Sequence, residues 1–494
     1  MSWLESIKKN IWVIAAVLVY LAADMYFTSK EIYYLNVLPV VVLLIYLAVV
    51  RIDIMYFIII FLTPLSIPLI NYIPDSSIDF YIPTEPLLFG MLLLLVFRMI
   101  RSGHIDRRVL NHPVTYAILF NVIWIFMTSI TSSMPLVSFK FMLARIWFLA
   151  TFYFLAIQVF RKTSTIPLLA WCYAIPLMAV VVYSISRHLT YGLFDKMAGH
   201  TVMNPFYRDH TSYGAILAMM FFAYGGVISK HGTNFVLRVF YYLGFALLAA
   251  GLILSYTRAA WLSVLASFGV LAVTLLRIKF KYLAFAGVLV LAWFFSQRVQ
   301  IMHRLEQNRQ DSSADLAEHV QSMSNITTDD SNLERLNRWN SAIRMFKERP
   351  FFGWGPGTYM FKYAPYQLST TKTLISTDFG NKGNTHSEYI GPLSESGVLG
   401  SLSFILIVII ALVTGFRVYK KVEEKRLRSI VLAYLLGLIT YLIHGVLNNF
   451  LDTDKASALF WGFIAVFVSL DIYYGKDREA AVPEKVDAVI KTDI

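Results

Sequence analysis

Residues 235–276 read FVLRVFYYLGFALLAAGLILSYTRAAWLSVLASFGVLAVTLL. Two apolar runs, 235–254 and 260–276, are parted only by a short polar turn containing Ser255, Tyr256, Thr257 and Arg258. Each run is long enough to cross the roughly 30 Å of a hydrocarbon layer as a helix. A chain in lipid must satisfy its own backbone hydrogen bonds, and two apolar helices joined by almost no loop do so. That hairpin sets the class as helical membrane protein and puts the Arg258 guanidinium at a membrane surface.

Similar runs fall near 11–27, 32–50, 53–70, 84–99, 113–130, 141–160, 165–185, 211–228, 281–296, 397–415, 429–448 and 457–474, so fourteen spans are expected. The weakest is 53–70, interrupted by Pro64 and Pro68; proline is tolerated where neighbouring groups take up the freed carbonyls. Composition agrees. The 494 residues are 57% hydrophobic and 15% charged, too little charge for a soluble surface of this size. An aromatic share of 15% suits rings at both interfaces. The single cysteine, Cys172, excludes an internal disulfide and any cysteine cluster for a metal. The run 11–27 is read as a span and not a cleavable leader, because no small-residue cleavage site follows it.

The net charge of +12 would suggest a nucleic-acid partner if it were patched, but it is spread over short loops. With Lys8 and Lys9 placed in the cytoplasm, alternation puts Arg51, Arg98, Arg101, Arg107, Arg108, Arg161, Lys162, Lys230, Arg238, Arg277, Lys279, Lys281 and the run Arg417 to Arg428 on the same side. The short outer loops keep only Lys30, Lys140, Arg187, Lys196, Arg208, Arg258 and Lys455. This is the charge asymmetry of cytoplasmic loops. No nucleic-acid partner is expected, and the bilayer is the expected surroundings.

Four segments result: 1–296 with eleven spans, 297–396 as one large outer loop, 397–475 with three spans, and 476–494 as a cytoplasmic tail. The fold class is an all-α membrane protein of about fourteen transmembrane helices, with helices inside the long loop. Long translocated loops escape the charge bias, and a loop this long in a compact chain usually carries function. Ser331-Asn332-Leu333-Glu334 reads as a capping box. The helix it opens should stop at Pro350, with Leu333, Leu336, Ile343 and Phe346 on one stripe and Arg335, Arg338 and Arg349 on another.

Candidate chemistry lies at the outer ends of the helices. Arg145 sits inside the sixth span, where a cation is costly and marks either function or a structural pair. Arg258 either grips a ligand or snorkels to headgroups. Arg208, Asp209 and His210 open the eighth span, a helix end that favours anions, although Asp209 also suits a helix cap. Near the end of the loop, the Gly/Pro turn 350–357 precedes Thr385-His386-Ser387-Glu388-Tyr389-Ile390, and Glu395 enters the next span. His386 is expected to titrate near neutral pH and to take a proton from a hydroxyl, with Glu388 or Glu395 orienting it; the bland alternative is a hydrogen-bonded structural histidine. No metal-ligand spacing is seen and no cofactor is expected. A diphosphate leaving group would therefore rest on arginines, which grip phosphate oxygens in bidentate fashion.

Three stretches carry a resemblance to the O-antigen ligase and polymerase superfamily of bacterial envelope proteins: Ser255 to Trp261, Glu334 to Gly355, and His386 to Gly400. The resemblance implies transfer of a glycan from undecaprenyl diphosphate to a lipid or glycan acceptor such as lipid A-core. The reaction would be an inverting one without a metal, on the periplasmic face of a bacterial inner membrane. The family's loop histidine maps onto His386 and its outer-face arginine onto Arg258. A second arginine maps onto Arg208, where the departure Asp209-His210 leaves Arg208 and His210 as alternatives. Arg335, Arg338, Arg145, Glu388 and Glu395 are then expected to line the substrates. Rival readings are a polysaccharide polymerase of the same chemistry and a flippase or transporter of lipid-linked oligosaccharide. Transporters usually show structural repeats and a midplane site, and no repeat is visible here.

Overall fold

A computed structural model describes residues 11–72, 80–102, 106–228, 234–278, 292, 296, 330–368, 376 and 383–474. Of the expected span 281–296 only 292 and 296 are described, and the first part of the expected outer loop, 297–329, lies outside the described residues. The chain folds as two units, Met1–Tyr56 and Phe57–Ile494. The first holds α1 (Ile11–Thr28) and α2 (Leu38–Val50), pinned by the Tyr20 hydroxyl on the Leu35 carbonyl at 3.2 Å. Helix α3 (Ile52–Leu62) leads into the second unit.

The second unit continues with α4 (Thr84–Ser102), α5 (Pro113–Ile130), α6 (Pro135–Val159), α7 (Ile166–Tyr191), α8 (His210–Val227), α9 (Phe235–Leu254) and α10 (Arg258–Leu275). After the long loop helix α11 (Asp330–Glu348) come α12 (Gly391–Lys421), α13 (Lys425–His444) and α14 (Asp454–Tyr473). Among the described residues eight helices are long and apolar enough to cross a membrane; the chain is a membrane protein, and its described residues are mostly helical with one short strand pair, Ile67–Pro68 with Tyr81–Ile82.

Burial ranks the helices. Almost every side chain of α14 is buried, as an apolar-all-round helix at the centre of a bundle requires. Helices α9 and α10 leave large apolar groups such as Leu243 and Leu265 exposed, at 63% and 64%, which suits lipid. Helices α8 and α13 approach closely because the seam is made of small residues: a Cβ on Gly226 would lie 2.1 Å from that of Ala433, and one on Gly437 would lie 2.8 Å from the Met219 carbonyl.

Four expectations are corrected in detail. The run 53–70 stops being α-helical at Leu62, where Pro64 removes a donor and the chain turns into short 3₁₀ and extended segments. The span expected at 141–160 starts earlier, at Pro135, and carries a π-helical turn over Ala150–Leu155. The span expected to reach 448 ends at His444, and 445–453 is loop. Segment α12 begins at Gly391 but is two helices joined at the non-helical Gly397 (φ 71°, ψ −169°), so a short helical stretch precedes the span expected from 397.

Contacts within the second unit sort the loops into two sets. His112 Nε2 meets Asp471 at 3.3 Å, the Tyr473 hydroxyl donates to Asp106 at 2.6 Å, and Arg417 reaches Asp471 at 3.3 Å. At the other end, Ser133 N–H donates to the Trp354 carbonyl (2.9 Å), Glu388 N–H to Gly445 (2.8 Å) and Thr257 Oγ1 to His210 (2.7 Å). These are the loops that alternation assigns to opposite faces.

Candidate functional site

The site is built at this second end, on α11 and the loop that returns to α12. The buried face of α11 is Glu334, Asn337, Arg338, Ser341, Ala342 and Met345; they recur at i, i+3, i+4 and i+7 spacing. The expected apolar stripe is not this face, and its Ile343 is 39% exposed. A polar face can be buried because its groups are partnered. Arg338 Nε donates to Glu334 Oε1 at 2.8 Å, Arg338 Nη1 to the Asn384 carbonyl at 3.1 Å, and the Tyr359 hydroxyl to the Arg338 carbonyl at 2.9 Å. The Arg338 guanidinium also lies 5.4 Å from the centre of the Tyr363 ring. A Cβ on Gly383 would fall 1.9 Å from Arg338 Nη1, so glycine lets the backbone pass that close.

His386 follows in a left-handed conformation, φ 51°. Its N–H donates to Asn384 Oδ1 (3.1 Å), and its carbonyl accepts from Trp339 Nε1 (3.4 Å). Burial, then the positive charges of Arg338 and Arg335, push the imidazole down to about 3, so it is neutral at pH 7. The near-neutral titration expected of a loop histidine therefore does not hold, because burial and the arginines of α11 disfavour the charged ring.

Among the described residues neither expected carboxylate hydrogen-bonds His386. Glu388 Oε1 accepts from the Tyr441 hydroxyl (2.5 Å), Phe450 N–H (2.7 Å) and Leu451 N–H (2.9 Å), which ties the loop to the turn after α13. Glu395 Oε1 accepts from Tyr359 N–H at 3.0 Å. Around Glu395 the turn 350–357 docks on the α12 kink. Trp354 N–H donates to the Ser394 carbonyl (2.9 Å), Gly355 N–H to Glu395 (2.8 Å), and Val398 N–H to Pro350 (2.9 Å).

The start of α8 and the start of α10 meet beside this loop. Asp209 caps α8, accepting from Ser212 N–H at 2.8 Å, so the helix-cap reading of Asp209 holds. The His210 ring stacks on His200 at 4.0 Å and 12°. Half-buried Arg258 opens α10, and both it and Arg335 act electrostatically on His210. His386, Arg335, Arg338, His210 and Arg258 thus gather in one cationic region with Asp209.

Arg208 and Arg145 fall outside it. Arg208 is exposed, 5.4 Å from the Tyr81 ring, with Asp452 and Lys455 in its field. Arg145, on α6, faces Glu388, Asp452 and Glu395; among the described residues it makes no hydrogen bond or ion pair, only a contact over the Phe141 ring at 5.5 Å. Lys455, expected on an outer loop, is 4% exposed and donates to the Ser66 carbonyl at 3.0 Å and hydroxyl at 2.6 Å. Its neighbour Asp454 accepts from Ser66 Oγ at 2.6 Å and from the Thr84 hydroxyl.

The groups missed from the sequence are His444, Asn448 and Asp452, concealed in what reads as the tail of an apolar span. Their signal was four polar residues, His444, Asn448, Asn449 and Asp452, at the outer mouth of one run. Among the described residues no three His, Cys, Asp or Glu side chains form a metal-like group.

Residues 243–405 match the family model described as O-antigen ligase. The match contains all three stretches that carry the resemblance, runs from α9 into α12, and bears that resemblance out. None of the curated proteins compared with the chain matches it.

Proposed function

From the match to the O-antigen ligase family, we propose that this membrane protein transfers a glycan from undecaprenyl diphosphate to an acceptor such as lipid A-core. Transfer would occur on the periplasmic face of the bacterial inner membrane, with the 297–396 loop on that face. The observation that carries the reading is a neutral, enclosed His386 gathered with Arg335, Arg338 and Arg258 inside the matched segment.

The chemistry follows from charge. His386 takes the proton of the acceptor hydroxyl as its oxygen attacks the sugar C1. The C1–O bond to the diphosphate breaks, and attack opposite the leaving group inverts C1. Negative charge grows on the departing diphosphate, where fixed guanidinium groups stabilise it more than in the ground state. A group titrating near 3 is a weak base. Docked diphosphate charge offsets that of Arg335 and Arg338, the second cause that holds the ring down, so donor binding raises the proton affinity of His386 when the base is needed. Arg258, which shares the His210 ring with Arg335 as an electrostatic neighbour, completes the clamp. Arg208, His210, Arg145, Glu388 and Glu395 serve at the margin, Arg208 toward the lipid-linked donor and the carboxylates in holding the loop.

A polymerase differs only in taking a growing glycan as acceptor. Deletion followed by gel analysis of lipopolysaccharide and lipid-linked glycan separates the two. Loss of a ligase leaves full-length lipid-linked glycan; loss of a polymerase leaves single repeat units on the core. Unchanged profiles of both would count against either role.

A further inference from the structure

We infer that Asn448 is the positioning residue of the His386 imidazole, backed by His444; the inference rests on the reading of His386 as the base. The loop that carries His386 is fastened to the segment after α13. Glu388 N–H donates to the Gly445 carbonyl at 2.8 Å, the Tyr389 hydroxyl to Leu442 at 2.9 Å, and Glu388 Oε1 receives Phe450 and Leu451 N–H. Residues 386–389 and 442–451 are therefore tied together by four hydrogen bonds.

Inside that piece His444 and Asn448 are each 1% exposed. Asn448 Nδ2 lies 3.0 Å from His444 Nε2. An amide NH₂ only donates, so His444 Nε2 accepts and carries its own proton on Nδ1. The same orientation leaves Asn448 Oδ1 buried and, among the described residues, without a hydrogen-bond partner. A buried acceptor without a donor is costly. The Asn448 side chain acts on the His386 ring in the sense of an acceptor, favouring the protonated form, although no formed hydrogen bond joins the two among the described residues. The other groups acting on that ring are Arg338 and Arg335 from α11, which disfavour its charge, and Asp209 from the start of α8, which favours it. The two carboxylates that could replace Asn448 are committed elsewhere, Glu388 to Tyr441 and two backbone amides, Glu395 to Tyr359.

The arrangement gives Asn448 a defined task. As the acceptor hydroxyl gives up its proton, the new imidazolium finds Asn448 Oδ1 waiting, and a hydrogen bond to a charged donor is the stronger kind. The ring nitrogen turned toward Asn448 holds the N–H, which reserves the other for the hydroxyl. A neutral amide does this without setting a negative charge against the diphosphate.

The test compares wild type, Asn448→Asp, Asn448→Leu and His386→Ala, each reconstituted in lipid with lipid-linked donor and acceptor, over a range of pH. The near-isosteric Asp variant keeps the fold and adds a charge beside the ring. The acid limb of its kcat profile should move up by about one pH unit or more, with a raised KM for donor. Labelling of His386 by diethyl pyrocarbonate, read by mass spectrometry, should shift in the same sense even if turnover is too low to follow. The Leu variant should lose about tenfold or more in kcat, with donor KM little changed. If His386→Ala is inactive while Asn448→Asp leaves both profiles unmoved, Asn448 has no part in the base and only this inference fails. If His386→Ala transfers glycan normally, the base reading fails and takes the inference with it.

Discussion

At the residue scale the account stands on His386 and Arg258. Removal of a positioned base typically costs ~10²–10⁴-fold, so His386→Ala should lose transfer by that factor while still binding donor, measured by turnover and by a donor-binding assay. The pH dependence has a definite sign. In the free protein His386 is held down to about 3 by burial and by Arg338 and Arg335, so the base is already unprotonated at pH 5 and above. kcat/KM, which reports the free enzyme, should therefore show no acid limb from His386 between about pH 5 and 8; the limb in kcat should lie higher, because bound diphosphate raises the proton affinity. A limb near pH 6.5 in kcat/KM that disappears in His386→Gln would contradict the enclosure of the ring. Arg258→Lys keeps the charge and loses the planar fork. Transfer should fall by about 10²-fold or more at normal protein level, while Lys347→Ala on the exposed side of α11 should be silent. Near-wild-type activity in Arg258→Lys would leave snorkelling as the sufficient role.

At the element scale the decisive joint is where the turn 350–357 meets the kink of α12. Gly397 has φ 71° and ψ −169°, and a Cβ there would sit 1.9 Å from the Phe351 carbonyl. Such a conformation is essentially reserved for glycine and costs other residues about 1–3 kcal/mol. Gly397→Ala should lower the thermal midpoint in detergent by several degrees and reduce transfer, because the segment that carries His386 runs straight into this helix and Glu395 beside the kink holds Tyr359 N–H and Gly355 N–H; an unchanged midpoint would mean that the joint is slack. The apolar runs that became α5 to α10 and α12 to α14 were legible, because lipid imposes length and composition on a helix directly. Helix ends were not. Gly445, Val446, Leu447, Phe450 and Leu451 are apolar enough to hide a loop that bends back to receive Glu388. The buried face of α11 was illegible for another reason: Glu334 and Arg338 pair with each other and Arg338 with the Asn384 carbonyl, so polar residues took the inner face and hydrophobicity pointed the wrong way. His386 and Arg258 stood out by position in the sequence; Asn448 left only the weak signal of a polar cluster at a span's mouth, and its place became plain where α13 stops at His444.

At the scale of the whole molecule, two sets of loops meet at opposite ends of the second unit, one around Asp471 and Asp106, the other around His386, Gly445 and Trp354. Reporters fused after Lys196 or Gln367 should read periplasmic, and after Arg107 or Lys421 cytoplasmic; a cytoplasmic reading at Gln367 would put the chemistry on the wrong face. The most direct test of the central claim is transfer itself. The purified protein in lipid nanodiscs, given undecaprenyl-diphosphate-linked glycan and a lipid A-core acceptor, is followed by gel and mass spectrometry for glycan on the acceptor and for released undecaprenyl diphosphate. Glycan transfer by wild type with none by His386→Ala is the predicted result. No transfer by wild type to this acceptor or to a second glycan, or equal transfer by wild type and His386→Ala, would contradict the account.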